Sequence, residues 1–353
     1  MTLLLKINPG RPERGRIRRA AQAIREGGLV VFPTETVYGI GASALDSAAC
    51  RKIYKAKGRA GDNPLIVHVS DMRMADEVAE IPKQYRKAIS RIWPAPITFI
   101  VRAKGGLPRV VTAGLDTVAL RMPSNKVALF LIKESGVPIA APSANISKKP
   151  SSTSARHALG YFKGKVDIII DSGRSNYGME STILDLRSFT LLRPGAFTAE
   201  QIERTFGRKP RISKEAKGEA EVARAISPGT KYRHYSPDTP LFLYTGRRRN
   251  LTRALSGAKG RFAFVGSDES CNSLRGMHCG RIRLGSSRNL REVARNLFDR
   301  LIALDSMGLD FAVVESFSES RHGLAIMNRL RKATRHRSFS DADGLRLLTA
   351  KRR

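Results

Sequence analysis

The stretch Lys55-Ala56-Lys57-Gly58-Arg59-Ala60-Gly61-Asp62-Asn63 runs straight into Pro64-Leu65-Ile66-Val67-His68-Val69. Its first half is cationic and broken by glycine. Its second half opens on proline and is β-branched and apolar, which predicts a buried strand. Lys57 and Arg59 therefore sit on a loop whose exit a strand holds fixed, a sound way to present cations to an anion. Lysine offers a point charge, and arginine a flat fork that can hold two oxygens at once. Taken alone, Lys-x-Arg reads more simply as a solvated basic loop.

Upstream, Ile17, Ala20, Ala21 and Ile24 have helical spacing, closed by Gly27-Gly28. Leu29-Val30-Val31-Phe32 is a short buried strand, broken by Pro33-Thr34-Glu35-Thr36. The hydroxyls there, with Tyr38-Gly39-Ile40-Gly41 following, make either a polar pocket open to close backbone approach or an ordinary turn. Gly39-x-Gly41 lacks the third glycine and acidic partner of a dinucleotide fingerprint. Residues 47–57 read as a helix with Ser47 as N-cap, delivering Lys57 to its loop.

Downstream, His68 alternates with apolar residues, as a satisfied core histidine would. Residues 71–92 read as helix, and Phe99-Ile100-Val101 as strand. Residues 117–123 form another strand in which Arg121 stands among apolar neighbours. Such an arginine needs an anion, either an internal carboxylate or a ligand. The strand 137–141 ends in Pro142-Ser143-Ala144-Asn145, whose hydroxyl and amide face the same way on an extended backbone. They suit a carboxylate, bicarbonate or phosphate, or a local turn. Strands at 166–171, 182–186 and 190–193 and a helix at 199–206 complete an α/β pattern on one twisted sheet.

These motifs, in this order, with Glu180-Ser181-Thr182-Ile183, Leu192-Arg193-Pro194-Gly195 and Pro228-Gly229-Thr230-Lys231-Tyr232-Arg233-His234-Tyr235-Ser236-Pro237, resemble the threonylcarbamoyl-AMP synthase family. The likeness is to its long form, a YrdC-like catalytic domain with an extra C-terminal domain. It is strong over 16–207 and at 228–237, and weaker beyond. The family usually has glycine where Ala95 stands. The resemblance implies an α/β fold: a YrdC-like twisted mixed sheet with flanking helices, plus a smaller C-terminal Rossmann-like α/β domain. It implies synthesis of threonylcarbamoyl-AMP from L-threonine, bicarbonate and ATP with release of pyrophosphate, the first step of threonylcarbamoyladenosine modification of tRNA. Lys57, Arg59, Ser143 and Asn145 would be catalytic. Thr36, His68, Arg121 and Ser181 would hold threonine. Arg59, Asn63, Thr117, Asn145, Thr153, Arg193 and Tyr235 would bind the nucleotide. Mg²⁺ would come with ATP, with no metal ligands from protein side chains. A downstream transferase acting on tRNA is the implied partner, and direct tRNA contact a further expectation.

The whole chain fits this frame. At 353 residues it is long enough for two domains with separate cores. The expected division is 1–207 for the catalytic domain, 208–238 for a linker and 239–353 for an α/β domain of alternating strands and helices. The linker is polar and rich in Gly and Pro yet ends in Tyr232-Arg233-His234-Tyr235, which suggests a lid over the catalytic pocket that excludes water. No apolar run approaches a membrane span, and Leu3-Leu4-Leu5 is too short for a signal-peptide core. Cys50, Cys271 and Cys279 form no even disulfide framework, so a cytoplasmic location is expected. Cys271, His278 and Cys279 match no zinc spacing.

The formal net charge is +32, with 32 Lys+Arg against 17 Asp+Glu in 1–207 and 31 against 14 in 208–353. Such a field attracts ATP, pyrophosphate and tRNA, or reflects a lineage of basic proteins. Arg329, Arg331, Lys332, Arg335 and Arg337, with the tail Lys351-Arg352-Arg353, make a basic end that is either a solvated face or an RNA-facing patch. The chain lacks a Gly-x-Ser-x-Gly elbow, a Walker phosphate loop and a His-Glu-x-x-His pair. What remains is a cationic, hydroxyl-rich pocket with no obvious nucleophile, suited to substrates that carry their own reacting groups. Two alternatives stand beside the synthase: a non-enzymatic RNA-binding protein of YrdC-like fold, and a carbamoyltransferase maturation protein. The second lacks here the zinc-finger and acylphosphatase-like segments it would need.

Overall fold

The structure, a computed structural model, describes residues 1–219 and 235–350, the last four by backbone alone. Within that range the chain divides into two compact units, 1–147 with 151–219, and 148–150 with 235–350.

Among the described residues the first unit has twelve strands: β1 Leu3–Lys6, β2 Val30–Phe32, β3 Gly39–Ser43, β4 Ile66–His68, β5 Ala79–Glu80, β6 Ile97–Ala103, β7 Thr117–Arg121, β8 Ile139–Ala140, β9 Ile168–Asp171, β10 Thr182–Asp185, β11 Thr190–Arg193 and β12 Arg211–Ile212. They make one sheet in the order β1-β9-β2-β3-β8-β4-β7-β6-β10-β11-β12, with β5 against β6. The sheet is mixed. β4/β7, β6/β10 and β2/β9 are parallel, while β2/β3, β3/β8, β4/β8, β6/β7 and β10/β11 are antiparallel. Most strands are buried along their whole length, which explains why they read as apolar runs rather than alternations. The helices Arg14–Arg25 and Lys126–Ser135 pack on each other and bury Ile17, Ile24, Leu131 and Ile132. Each such side chain contributes about 1.5–3 kcal/mol.

Three local expectations change. The cap of the helix Ser47–Lys57 is Asp46, whose carboxylate accepts from the amides of Ala48 and Ala49 at 2.8 and 3.0 Å. Ser47 is the first helical residue, one place too late to reach those donors. The helix expected over 71–92 is two helices, Met72–Val78 and Lys83–Ile92, separated by β5 and Pro82. Proline cannot donate into a helix interior and so opens a new one instead. Residues 208–219, expected as the start of a linker, are folded. Arg211 and Ile212 pair with Thr190 and Leu191 as edge strand β12, and a short helix Lys214–Lys217 follows.

The second unit holds a five-stranded sheet: β13 Leu241–Tyr244, β14 Phe262–Gly266, β15 Gly280–Arg283, β16 Phe311–Glu315 and β17 Ser338–Phe339. Its order is β15-β14-β16-β13-β17 and every pairing is parallel. The helices Leu290–Leu304 and His322–Ala333 flank it. This is the Rossmann-like α/β unit expected. Cys271 is buried in this unit's core with Phe264 and Phe311. Among the described residues no helix is long and apolar enough to cross a membrane.

Candidate active site

His68 ends β4 and Arg121 ends β7, and the two are direct partners in a parallel ladder. Each lies two residues beyond a member of one apolar cluster, Ile66 and Ala119, which also holds Ile100, Ile183 and Leu192. Period-two alternation therefore puts His68 and Arg121 on the face that this cluster floors.

Arg121 is buried, and its anion is Glu35. Nη2 donates to Glu35 Oε1 at 2.6 Å and to Thr36 Oγ1 at 2.9 Å. Both ends of the ion pair are buried, at 4% and 3% exposure. The internal salt bridge weighed from the sequence is thus present. It is only half satisfied, because Arg121 Nε and Glu35 Oε2 are buried without a hydrogen-bond partner. Thr34 gives its proton to the Val37 carbonyl at 2.6 Å. Thr36 is therefore the donor across the 2.7 Å between the two hydroxyls. His68 is also buried, with Nδ1 at 3.2 Å from the Ile66 carbonyl. Burial, and next the Arg121 charge, push its pKa to about 3, so the imidazole is neutral at physiological pH.

Ser181, just before β10, is fully buried and lies 2.7 Å from Thr98 Oγ1. Arg193, ending β11, donates to the Ser181 carbonyl from Nε at 3.0 Å and to its hydroxyl from Nη2 at 3.1 Å. The expected threonine residue Ser181 and the expected nucleotide residue Arg193 are therefore one hydrogen-bonded pair.

Lys57 closes its helix with Gly58 in the left-handed region behind it, φ 58°. Its buried ammonium donates to the carbonyls of Ser143 and Asn145, the latter at 2.6 Å, and its own carbonyl accepts from Ser147 N at 2.9 Å. The Lys-x-Arg and Ser-x-Asn loops are thereby laced together, although they lie far apart in sequence. Burial, and secondarily Arg59, hold the Lys57 pKa well below the usual lysine value, while Glu180 opposes them. Ser143 Oγ lies 2.5 Å from Asn145 Oδ1, as a local turn would place them.

Arg59, half-buried, donates from Nη2 to the carbonyls of Asn63 and Pro64 at 2.8 and 3.1 Å and lies over the Tyr54 ring. Asn63 is fully buried, yet neither end of its side-chain amide has a partner. A buried amide left so costs several kcal/mol, on the order of 1–3 for each group, unless something fills the place. Thr117 is buried at the start of β7, four residues before Arg121. Thr153 is buried with Oγ1 at 3.3 Å from His157 Nδ1. Tyr235 belongs to the second unit, where it stacks on Phe298 with centroids 5.1 Å apart and lies under Arg329. Tyr232, Arg233 and His234, the rest of the expected lid, lie outside the described residues.

Sequence reading assigned no role to Glu35 or Glu180. Glu180 accepts from the Ser151 hydroxyl at 2.6 Å. A signal for Glu35 was available: it is the single charged residue between Leu29 and Ser43, and Arg121 needed an anion. Gly195 sets the backbone beside Ser181. A Cβ there would lie 2.4 Å from the Glu180 carbonyl oxygen and 2.5 Å from Thr182 N. Backbone atoms cannot swing aside, so Gly195→Ala should cost about 1–3 kcal/mol of stability. A urea midpoint equal to the parent's would show that the loop has slack.

A profile of the family described as "Telomere recombination" (Sua5, YciO, YrdC) matches residues 22–195, and one described as "Threonylcarbamoyl-AMP synthase, C-terminal domain" matches 197–334. The threonylcarbamoyl-AMP synthase of Pyrococcus abyssi is 43% identical over 341 residues, 96% of this chain and 99% of that one. That of Bacillus subtilis is 42% identical over 327 residues, 90% of this chain and 92% of its own. The crystal structure of P. abyssi Sua5 complexed with L-threonine superposes with a TM-score of 0.88 at 42% identity, covering 96% of this chain and 99% of that one. These relatives are synthases across both domains, which decides for the enzyme against the RNA-binding alternative. The chain belongs to the threonylcarbamoyl-AMP synthase family, in its long form.

Proposed function

We propose that this protein condenses L-threonine, bicarbonate and ATP into threonylcarbamoyl-AMP and pyrophosphate, supplying the activated group for threonylcarbamoyladenosine in tRNA. The observation that carries the proposal is the buried polar face of cations and hydroxyls, in a chain collinear with the P. abyssi synthase over nearly its full length. Threonine carries the attacking nitrogen and ATP the phosphorus under attack, so the protein's part is position and charge.

Arg121 takes the threonine carboxylate, and Thr36, His68 and Ser181 surround the rest of the amino acid. Lys57 fixes the Ser143–Asn145 loop, which with Arg59 holds bicarbonate and the phosphates. The unpaired Asn63 amide receives a donor and an acceptor from the nucleotide, with Thr117, Thr153 and Arg193 about it. Tyr235, expected with them from the sequence, belongs to the second unit, where its ring stacks on Phe298. Mg²⁺ arrives with the triphosphate. Among the described residues no group of three or more His, Cys, Asp or Glu is arranged to hold an ion. When bound, the ion offsets charge on the departing pyrophosphate. Residues 1–207 carry the chemistry and 239–353 form the second domain. Product passes to a transferase that acts on tRNA.

Purified protein should release pyrophosphate from ATP only when threonine and bicarbonate are both present. Equal release without threonine would overturn the proposal. Serine should be used less well, since one lost methyl contact is worth about 1–3 kcal/mol in a fitted pocket.

A further inference from the structure

We propose that Glu35 is a catalytic residue that receives the substrate's α-ammonium and accepts the proton it must lose before attack. This rests on the reading above. The ion pair with Arg121 leaves one donor, Arg121 Nε, and one acceptor, Glu35 Oε2, both buried and unpartnered. An α-amino acid is the complement of that donor and acceptor. Its carboxylate accepts from the guanidinium and its ammonium donates to the carboxylate, and the two charges sit on adjacent carbons. A buried ion pair that lacks one bond on each side is costly until a ligand supplies both. A zwitterion does so without adding net charge.

The chemistry requires a base here. An ammonium has no lone pair. Glu35 as carboxylate takes one proton from R–NH3⁺, giving R–NH2 and the carboxylic acid. The amine lone pair forms the N–C bond to bicarbonate. One C–O bond breaks, its oxygen leaves as water with a proton from the nitrogen, and the carbamate R–NH–COO⁻ remains. The proton on Glu35 then returns to solvent, so one proton is released per turnover.

The neighbouring groups do not serve as well. His68 has Nδ1 turned to the Ile66 carbonyl at 3.2 Å, and burial disfavours the imidazolium that proton uptake would form. Lys57 is committed to two backbone carbonyls. The Tyr38 hydroxyl donates to the Gly173 carbonyl at 2.6 Å, and burial pushes its pKa up. Glu180, the other buried carboxylate here, accepts from Ser151 and is coupled electrostatically to Lys57. The charged group facing Glu35 is Arg121, and His68 is the titratable group coupled to that arginine.

Glu35→Gln keeps the shape and an acceptor for Arg121 but cannot take a proton. With threonine and bicarbonate, kcat at pH 7 should fall about a hundredfold or more. The loss should shrink roughly tenfold per pH unit toward pH 9, as solution supplies threonine already deprotonated. Glu35→Asp should recover part of the rate and the parent's pH profile. A Gln variant within threefold of the parent, or a loss constant across pH, overturns the proposal. If the Gln variant does not fold, the parent decides: 2,3-dihydroxybutanoate, threonine with hydroxyl for amine, should bind at least tenfold more weakly than threonine. Equal affinity overturns the role of Glu35 as ammonium acceptor. Should the parent itself fail to release pyrophosphate with threonine and bicarbonate, the proposed function has failed, and that is seen before any variant is made.

Discussion

Lys57→Met should cut pyrophosphate release by about a thousandfold while the protein stays folded, because one fixed ammonium both carries charge and sets the Ser143–Asn145 loop. Two stability effects oppose each other. Removing the ammonium leaves the carbonyls of Ser143 and Asn145 without this donor, at about 1–3 kcal/mol each. It also removes a cation whose charged form burial disfavours, which offsets much of that cost. The net change should be within about 2 kcal/mol. Turnover has no such offset, since an apolar thioether neither holds the loop nor draws an anion. Lys57→Arg should fail as well, because a planar fork does not fit a fully buried slot shaped for a tetrahedral ammonium. A folded Lys57→Met protein with near-parent kcat would remove Lys57 from the machinery. Loss of activity only in step with unfolding would make it purely structural.

Acid should weaken the fold through His68. Its native pKa is about 3 against an ordinary 6.5. Between those values the unfolded chain binds a proton that the native state refuses, so unfolding gains on acidification. Stability therefore falls as pH drops below 6.5, by about 1.4 kcal/mol per unit, and is unaffected by this group above it. By pH 4.3 the cost is roughly 3 kcal/mol. His68→Gln removes the titration. The difference between parent and variant, read from urea midpoints, should close by that amount between pH 6.5 and 4.3. Parallel curves would show that His68 takes its proton without penalty.

The sequence carried the sheet wherever burial was continuous. Ile66-Val67 and Phe99-Ile100-Val101 are apolar on both faces, and each lies in a strand. It hid β15, whose Gly280-Arg281-Ile282-Arg283 alternates half-buried and exposed residues at the sheet edge and has a single apolar side chain to mark it. Helix boundaries slipped where two residues could serve, as with Asp46 and Ser47. In the site, residue types were legible and partners were not. Arg121 advertised an unmet charge from within its own strand, but its answer lies 86 residues away at Glu35. Lys57 advertised a ligand, and its nearest acceptors are carbonyls 86 and 88 residues on. Hydrogen bonds of that range are set by tertiary packing, which local spacing does not encode. The orphaned atoms of Asn63, Arg121 and Glu35 are legible only once burial is known.

The strand order also fixes a schedule for synthesis. Among the described residues β1 lies at the sheet edge and its one neighbour is β9, Leu3 opposite Ile168. β2 meets β3 early but needs β9 for its other side. A chain leaving the ribosome from its N-terminus therefore carries β1 and one edge of β2 uncovered until about residue 171 has emerged. Non-local pairing of this kind slows folding and leaves open strand edges exposed to other chains meanwhile. The nascent protein is thus most vulnerable to aggregation while its first half is out and β9 is still in the tunnel, a window in which a chaperone has most to protect.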